Sequence, residues 1–267
     1  MDIINTKIED ILKFPFREKD WFSTFGIYII VNLLAGIMVS ISFLFIFFGG
    51  AFALEGANIG IFLAIPFLIF LAIFFIITLY LQGYVLEIVK SVKEEKTDKP
   101  KHDEIGIKLR KGFDWFLLSL GPIGISILIF ALSVGALIWG ISLLEATPIL
   151  ATVLIIVGIL KTLFSILTII AVSTIIIPSM LYIYLQTNSV KKGYDFKNIW
   201  LIVKNMWKEF LVVYAISIVL TMIISALGQM PCIGFLVLIV GTAYTTFVIA
   251  FLIGKIFVEI DKLKLLK

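Results

Sequence analysis

Long apolar stretches separated by short polar islands make up most of this chain. The uncharged stretches cover 21–54, 56–86, 115–144, 162–190 and 210–254. A helix of about 20 apolar residues crosses the ~30 Å hydrocarbon core of a bilayer, and the last stretch is long enough for two such helices and a turn. The pattern therefore predicts an all-α membrane protein with six transmembrane spans. The predicted spans are 22–48, 61–87, 115–143, 163–187, 209–228 and 233–256.

The basic residues predict how the spans are oriented. Of the 22 Lys and Arg residues, all except Lys161 lie in four polar islands. The islands are 1–20, 90–114, 187–208 and 255–267. Because Lys and Arg favour the cytoplasmic side of a membrane, we expect all four islands in the cytoplasm. The chain is then a multi-pass protein of the cell membrane with both termini cytoplasmic, and two spans form a hairpin between consecutive islands.

The segment before Lys161 needs a separate interpretation. Thr147-Pro148 predicts an N-cap followed by Pro at the first helical position, so 149–160 is expected as a short helix of its own. A lysine at the bilayer centre costs about 2.5–3.5 kcal/mol or more. We therefore expect Lys161 at the outer interface, with 149–160 outside the hydrocarbon core or lying along it.

An amphipathic segment precedes the first, third and fifth spans, and aromatic residues mark these segments. The predicted interfacial anchors are Trp21, Trp115, Trp200 and Trp207. We interpret 1–267 as one integral membrane domain of three tandem repeats, each a cytoplasmic amphipathic interfacial helix followed by a transmembrane hairpin. The repeats cover about 1–90, 100–190 and 194–260. All three point the same way, which argues against an inverted-repeat transporter.

Small and polar residues recur at helical spacing inside the spans. They are Asn32, Gly36, Ser40, Ser126, Ser133, Ser217, Thr221 and Ser225. Helices associate in lipid through small and polar residues, so packing of the hairpins is the favoured interpretation and a polar path the alternative. Proline removes a helix hydrogen bond and frees the carbonyl four residues earlier, which predicts kinks. The kink candidates are Pro66, Pro122 and Pro178.

Candidate chemistry is sparse. His102 and Cys232 are the single His and the single Cys, so we expect no disulfide and no metal site of ordinary type. The ionisable residue nearest to a span interior is Glu87, at the inner end of the second span. The net charge of +4 is not interpreted as nucleic-acid binding, because acidic residues are interleaved. We expect no enzymatic activity, no cofactor and no nucleic-acid partner.

Island 187–208 differs from the other islands because it holds five basic residues against Asp195 alone. This imbalance suits contact with anionic lipid headgroups. Ordinary positive-inside topology explains it equally simply and is the favoured interpretation.

Several different short motifs follow one another along the chain. They are Phe14-Pro15-Phe16, Gly83-Tyr84, Pro100, Asp103, Gly112, Gly193-Tyr194-Asp195-Phe196 and Leu252-Ile253-Gly254. In order and spacing the chain resembles, over nearly its whole length, the domain-of-unknown-function family 4013 of archaea and bacteria. It departs from the family at Lys101-His102, where an aromatic residue usually follows the proline, so a recognition role for this loop is in doubt. The family is similar to the six-helix membrane domain fused to some glycerophosphodiester phosphodiesterases. The resemblance implies a multi-pass fold and no established activity.

Three functions remain open from the sequence. The first is a non-enzymatic scaffold that organises membrane lipids, a membrane-protein partner or further copies of the chain. The second is a passive permease or channel for a small uncharged or amphiphilic solute, with a pore between the hairpins. The pore would be lined by Asn32, Ser126, Ser133, Ser217 and Thr221. The third is an immunity or export accessory protein.

Overall fold

The computed structural model describes residues 8–17, 21–54, 59–96, 100, 104–231 and 233–265. Within these ranges the side chains of some residues, Trp21 among them, are outside the description. Every regular element in the described part of the chain is helical. The all-α class is therefore confirmed.

Nine α-helices follow one another along the described residues. They are α1 (Ile8–Lys13), α2 (Trp21–Leu54), α3 (Ile59–Lys93), α4 (Ile105–Ser142), α5 (Pro148–Ala171), α6 (Ile177–Thr187), α7 (Val190–Gly193), α8 (Phe196–Leu227) and α9 (Gly234–Lys262). A 3-10 turn, Phe14–Phe16, follows α1. A π-helical turn, Val172–Ile176, joins α5 to α6.

Five helices in the described residues are long and apolar enough to cross a membrane. They are Ile65–Lys93, Ile105–Ser142, Pro148–Thr187, Phe196–Leu227 and Gly234–Lys262. The described side chains of α2 contribute a shorter apolar helix, Phe25–Met38. About 20 residues suffice for a crossing, so these helices, 29 to 40 residues long, are longer than a crossing requires. The chain is thus a membrane-embedded helical protein.

The predicted interfacial helices are corrected in part. Only α1 is an element of its own, and it is six residues long. The segments before the third and fifth spans are instead the first turns of α4 and α8, which continue without a break. No proline stands between Ile105 and Trp115 or between Phe196 and Lys208, so nothing interrupts the backbone hydrogen bonds of either helix.

The prediction that 149–160 forms a separate helix is wrong. Helix α5 begins at Pro148 with Thr147 in the N-cap position, as expected, but runs through Lys161 to Ala171. Leu160 and Lys161 favour helix, so the sequence there contains no signal to stop. Lys161 is exposed on the surface of this continuous helix.

The chain divides into two compact units. Unit 1 consists of Met1–Trp115 and Val212–Leu263, and unit 2 of Phe116–Leu211 and Lys264–Lys267. Two of the three divisions fall within α4 and α8, and the third follows the end of α9.

Glycines bring the helices of unit 1 into backbone contact. A Cβ atom at Gly83 of α3 would lie 1.8 Å from the carbonyl oxygen of Lys108, and one at Gly112 of α4 would lie 1.7 Å from that of Leu79. Neither position accepts a side chain without moving a helix. The two helices therefore cross with backbone against backbone.

An ion-pair cluster lies beside this crossing. The Glu87 carboxylate lies 3.5 Å from Nζ of Lys108 and 2.8 Å from Nζ of Lys111. The Lys108 side chain is only 1% exposed. Glu87 was identified from the sequence, but neither of its partners was predicted.

Small residues also join the helices of unit 2. A Cβ atom at Gly140 of α4 would lie 3.0 Å from the Ile155 side chain of α5, and Oγ of Ser133 lies 3.0 Å from Oγ of Ser165. These pairs run in opposite directions along the two helices, which therefore pack antiparallel.

Candidate functional site

An apolar cavity of about 660 Å³ lies within unit 2. It is lined by Gly121, Pro122, Ile125 and Ser126 of α4, Thr168 of α5, Val172 and Ile176 of the π turn, Met180 of α6, Tyr194, and Phe196, Ile199, Trp200 and Val203 of α8. Its volume falls in the range of about 300–1,000 Å³ that is usual for small-molecule sites. We call it the unit 2 cavity.

Pro122 and Tyr194 together form one wall of the cavity. Because Pro122 has no N–H group, the Leu118 carbonyl lacks its helical donor, as the sequence predicts. The Tyr194 hydroxyl lies 3.1 Å from this oxygen and 2.6 Å from the Leu117 carbonyl oxygen, and donates to both. Tyr194 thus supplies the hydrogen bond that the proline removes.

The connector between α6 and α8 holds Tyr194 in place. A Cβ atom at Gly193 would lie 2.4 Å from Cδ2 of Leu118, so a larger residue at this position of the connector would displace the Leu118 side chain of α4. The Asp195 carboxylate accepts hydrogen bonds from the backbone N–H groups of Lys197 (3.1 Å) and Asn198 (3.3 Å). Asp195 is therefore the N-cap of α8.

The π turn also lines the cavity, through Val172 and Ile176, and ends two residues before Pro178. Its last hydrogen bond joins the Ile177 N–H to the Val172 carbonyl, five residues earlier. The Thr174 hydroxyl donates to the Ile170 carbonyl at 2.7 Å. Hydroxyl side chains and π turns are the usual means of satisfying the backbone near a proline in a membrane helix. Such turns frequently mark functional sites.

The hydroxyl groups of the described lining are all engaged with the backbone. Ser126 donates to the Pro122 carbonyl at 2.8 Å, and Thr168 donates to the Phe164 carbonyl at 2.9 Å. Tyr194 donates to α4 as described above. Since each hydroxyl has one proton, these residues have no donor left for an occupant, and the wall matches an apolar ligand.

The first turns of α8 form the open side of the cavity. Ile199 is buried, whereas Phe196 and Trp200 are 80% and 69% exposed. Lys197 and Lys204 are the helix neighbours of Trp200, three residues before it and four after it. Lys208 continues the same row, and we call these three residues, Lys197, Lys204 and Lys208, the lysine stripe. No carboxylate in the described part of the chain forms an ion pair with any of the three.

A second apolar cavity, of about 670 Å³, lies within unit 1. It is lined by Phe16, Phe25, Gly26, Ile29, Ile224, Leu227, Leu236, Val237, Val240, Gly241 and Tyr244. The Tyr244 hydroxyl donates to the Leu12 carbonyl at 3.0 Å. We call this second cavity the unit 1 cavity.

Three of the predicted packing or pore residues in unit 1 lie on α2. Asn32 donates to the Tyr28 carbonyl at 3.1 Å, and Ser40 donates to the Gly36 carbonyl at 3.0 Å. Nothing in the described chain lies within 4 Å of a Cβ atom built at Gly36. The roles of these residues in packing or in a pore stay predictions.

The remaining predicted residues fall in different surroundings. Ser126 and Ser133 are buried in unit 2, Ser217 is half-buried, and Thr221 and Ser225 are exposed. Of the kink candidates, Pro122 lines the unit 2 cavity, Pro178 is buried in α6, and Pro66 is half-buried in α3.

The predicted anchors differ in exposure. Trp115 is half-buried, and Trp200 and Trp207 are exposed. The Trp21 side chain lies outside the described residues, so the structure shows only that α2 begins there. Their placement at the headgroup level stays a prediction.

Neither the role of Tyr194 nor the π turn was predicted from the sequence. Tyr194 stood in a family motif without an assigned role. The signal for the π turn was the cluster of Ser173, Thr174 and Ser179 around Pro178.

Among the described residues, no group of three or more His, Cys, Asp and Glu residues is placed to hold a metal ion. His102 and Cys232 lie outside the described residues.

Comparison with known proteins identifies a family but no activity. No curated protein and no solved structure matches the chain. A family model described as a protein of unknown function, DUF4013, matches residues 66–233. This match is shorter than the resemblance expected from the sequence, since Phe14-Pro15-Phe16 and Leu252-Ile253-Gly254 lie outside it, but it includes all residues of the unit 2 cavity. Because the match covers more than half of its length, the chain belongs to the DUF4013 family.

Proposed function

We propose that this protein is a non-enzymatic membrane scaffold that holds membrane lipid in the unit 2 cavity and so organises the lipid around it. The observation that carries the proposal is the cavity itself, which is formed by apolar membrane helices and whose lining hydroxyls are engaged with the backbone. An acyl chain has no hydrogen-bonding group, and it therefore fits this wall without leaving a polar atom unpaired.

The proposal includes six spans with cytoplasmic termini. The supporting observation for a sixth span is α2, which runs over 21–54 without a charged residue. Cysteine labelling in intact cells tests this topology, with Cys232 replaced by Ser and single cysteines introduced as Glu145→Cys or Lys264→Cys. We expect an impermeant reagent added outside to label position 145 and not position 264. Labelling at 264 would contradict the orientation.

In a bilayer an acyl chain does not leave water when it enters a protein cavity. Binding must therefore come from van der Waals packing and from headgroup contacts rather than from the hydrophobic effect. Pro122 and the π turn, which both line the cavity, support such packing, because prolines and π turns are the usual causes of bends in helices.

Photo-crosslinking is the direct test of the lipid site. The purified protein is reconstituted with phosphatidylcholine that carries a photoactivatable group on an acyl chain, and the labelled peptides are identified by mass spectrometry. We expect crosslinks on the residues that line the cavity. The variant Ile125→Trp fills the cavity and should lose most of this labelling, whereas Ile127→Trp should keep it. Both isoleucines lie on α4 and are similarly exposed, at 63% and 58%, but only Ile125 lines the cavity.

The permease alternative has less support. Ser126 and Ser133 would line the pore, but both hydroxyls donate to carbonyls of their own helix, and Ser133 also pairs with Ser165. A solute flux measurement in liposomes with Ser126→Leu and Ser217→Leu tests it. A fall of flux in both variants would favour the permease over the scaffold. The accessory-protein alternative stays a prediction.

A further inference from the structure

We infer that the unit 2 cavity selects an anionic phospholipid, with one acyl chain in the cavity and the headgroup on the lysine stripe. This inference rests on the proposed function, because it requires that the cavity hold lipid. It adds the chemical class of the ligand and the residues that recognise its headgroup.

The position of the lysine stripe on α8 is the first step. Phe196, Ile199, Trp200 and Val203 face the cavity at spacings of three and four residues. On a helix with 3.6 residues per turn, Lys197, Lys204 and Lys208 then form a row directly beside Trp200. Trp200 is 69% exposed, so the stripe borders the open side of the cavity. A chain that enters past Trp200 carries its headgroup to this row.

The charge of the stripe is the second step. The one carboxylate of 187–208, Asp195, accepts hydrogen bonds from the first turn of α8 and from Nδ2 of Asn198, at 3.0 Å. Nζ of Lys208 lies 5.7 Å from the centre of the Trp207 ring. The stripe therefore presents ammonium groups that no described carboxylate pairs, and a negative headgroup complements them.

The chemistry of the cavity wall favours a lipid over a peptide as the occupant. A peptide segment in the cavity would bury backbone N–H and C=O groups, and each unpaired buried group is costly. Ser126, Thr168 and Tyr194 are already engaged with carbonyl oxygens and offer no free proton. An acyl chain has no hydrogen-bonding group and therefore needs no partner in the cavity.

The test measures lipid preference in the reconstituted full chain. Phosphatidylglycerol and phosphatidylcholine, each spin-labelled on an acyl chain, are compared by the fraction of motionally restricted lipid. Three lysines near a membrane surface should give a preference for the anionic lipid of about tenfold to hundredfold. The triple variant Lys197→Gln, Lys204→Gln, Lys208→Gln should lose this preference and keep binding of phosphatidylcholine.

Two controls separate the stripe from general surface charge. The variant Arg110→Gln, Lys262→Gln, Lys264→Gln loses the same amount of charge elsewhere and should keep the preference. The triple Lys→Arg variant of the stripe should also keep it, since the charge is retained. In the wild type, added salt should reduce the preference, because exposed charges are screened.

The outcomes distinguish the two proposals. Equal binding of both lipids, or a preference that survives loss of the stripe, overturns the inference and leaves the lipid site intact. No restricted lipid of either class, with no effect of Ile125→Trp, overturns the proposed function as well. Recovery of a peptide in place of lipid, crosslinked to the cavity residues, also overturns both.

Discussion

The two cavities are nearly equal in volume but differ in the backbone that lines them and in the charges nearby. Each has apolar walls and one tyrosine that donates to a backbone carbonyl, Tyr194 in unit 2 and Tyr244 in unit 1. Tyr194 replaces a donor that a proline removes from a membrane helix. Tyr244 bonds to Leu12 near the end of the short helix α1. Of the two linings, only that of the unit 2 cavity includes a proline within a helix and residues of a π turn.

The nearby charges differ as well. Beside the unit 1 cavity, Lys13 pairs with Glu9, and Arg17 pairs with Asp10 at 3.1 Å. The lysine stripe beside the unit 2 cavity has no such partner among the described residues. Since the two volumes are nearly equal, cavity size alone does not indicate which of the two binds a ligand. Irregular backbone that is held in place, together with charge left unneutralised, is the stronger indication.

The largest expected effect concerns a tightly packed glycine of unit 1, which is compared with an uncrowded glycine of unit 2 on the same helix. Helix α4 carries Gly112 in unit 1 and Gly124 in unit 2. At Gly112 a Cβ atom would lie 1.7 Å from a backbone oxygen of α3, which cannot rotate away, so Gly112→Ala should destabilise the protein by about 3 kcal/mol or more. Thermal unfolding in detergent measures this.

Gly124→Ala is the matched control on the same helix. Nothing in the described residues lies within 4 Å of a Cβ atom there, and alanine favours helix over glycine by roughly 0.5–1 kcal/mol. We therefore expect Gly124→Ala to be neutral or slightly stabilising. Equal destabilisation by the two substitutions would show that the close contact of α3 and α4 is not what stabilises unit 1.

The next effect tests the ion-pair cluster of unit 1. Glu87→Ala would remove the carboxylate that lies 3.5 Å from Nζ of Lys108, whose side chain is 1% exposed. Removal of one partner of a buried pair typically costs about 3–5 kcal/mol, and the half-exposed surroundings of Lys111 reduce the expected loss to roughly 2–3 kcal/mol. Adding Lys108→Met should restore part of the stability. Chemical denaturation of both variants would show whether the second substitution rescues the first.

A smaller loss of stability is expected when either tyrosine is replaced by phenylalanine, and the two losses should differ. Tyr194→Phe removes the donor to the Leu118 carbonyl, and an unpaired buried acceptor costs about 1–3 kcal/mol. Tyr244→Phe removes an exposed hydrogen bond to Leu12 and should cost less than about 1 kcal/mol. Unfolding temperatures of the two variants give the comparison. A larger loss for Tyr244→Phe would contradict the role assigned to the Tyr194 hydroxyl at the Leu118 carbonyl.

Hydrophobic length predicted the fold class, because a run of about 20 apolar residues leaves few alternatives to a membrane helix. It did not predict the helix ends. Charged residues mark the edge of the hydrocarbon core, but a helix ends only where its backbone hydrogen bonds end. Helices α4 and α8 therefore begin well before Trp115 and Trp207, and α5 continues through Lys161.

The site was predicted only in fragments. Pro122 and Ser126 were found because proline and small residues have local consequences along one helix. Tyr194 lies 76 residues from Leu118, and a hydrogen bond over that separation leaves no periodic trace in the sequence. The Glu87 cluster was missed for the same reason, since its partners lie on a different helix.

The smallest effect concerns a paired surface charge of unit 1 and has a definite dependence on pH. A hydrogen bond from Lys96 lowers the pKa of the Glu94 carboxyl below its ordinary value of 4.5, and the nearby charge of Lys90 acts in the same direction. A lowered pKa in the folded state means that the stabilisation is complete above the unfolded pKa and is lost as pH falls through the folded one. Because both side chains are well exposed, the contribution should stay below about 1 kcal/mol.

Stability measured between about pH 3 and pH 6 tests this, a range that brackets the carboxyl pKa. Lys96→Gln should flatten the dependence, because it removes the main cause of the shift. Lys204→Gln, in the lysine stripe, removes the same charge without breaking an ion pair of the described residues, so the dependence should persist. If Lys204→Gln flattened the pH dependence as much as Lys96→Gln, a carboxylate would be paired with the lysine stripe. The two cavities would then no longer differ in whether the nearby charges are paired.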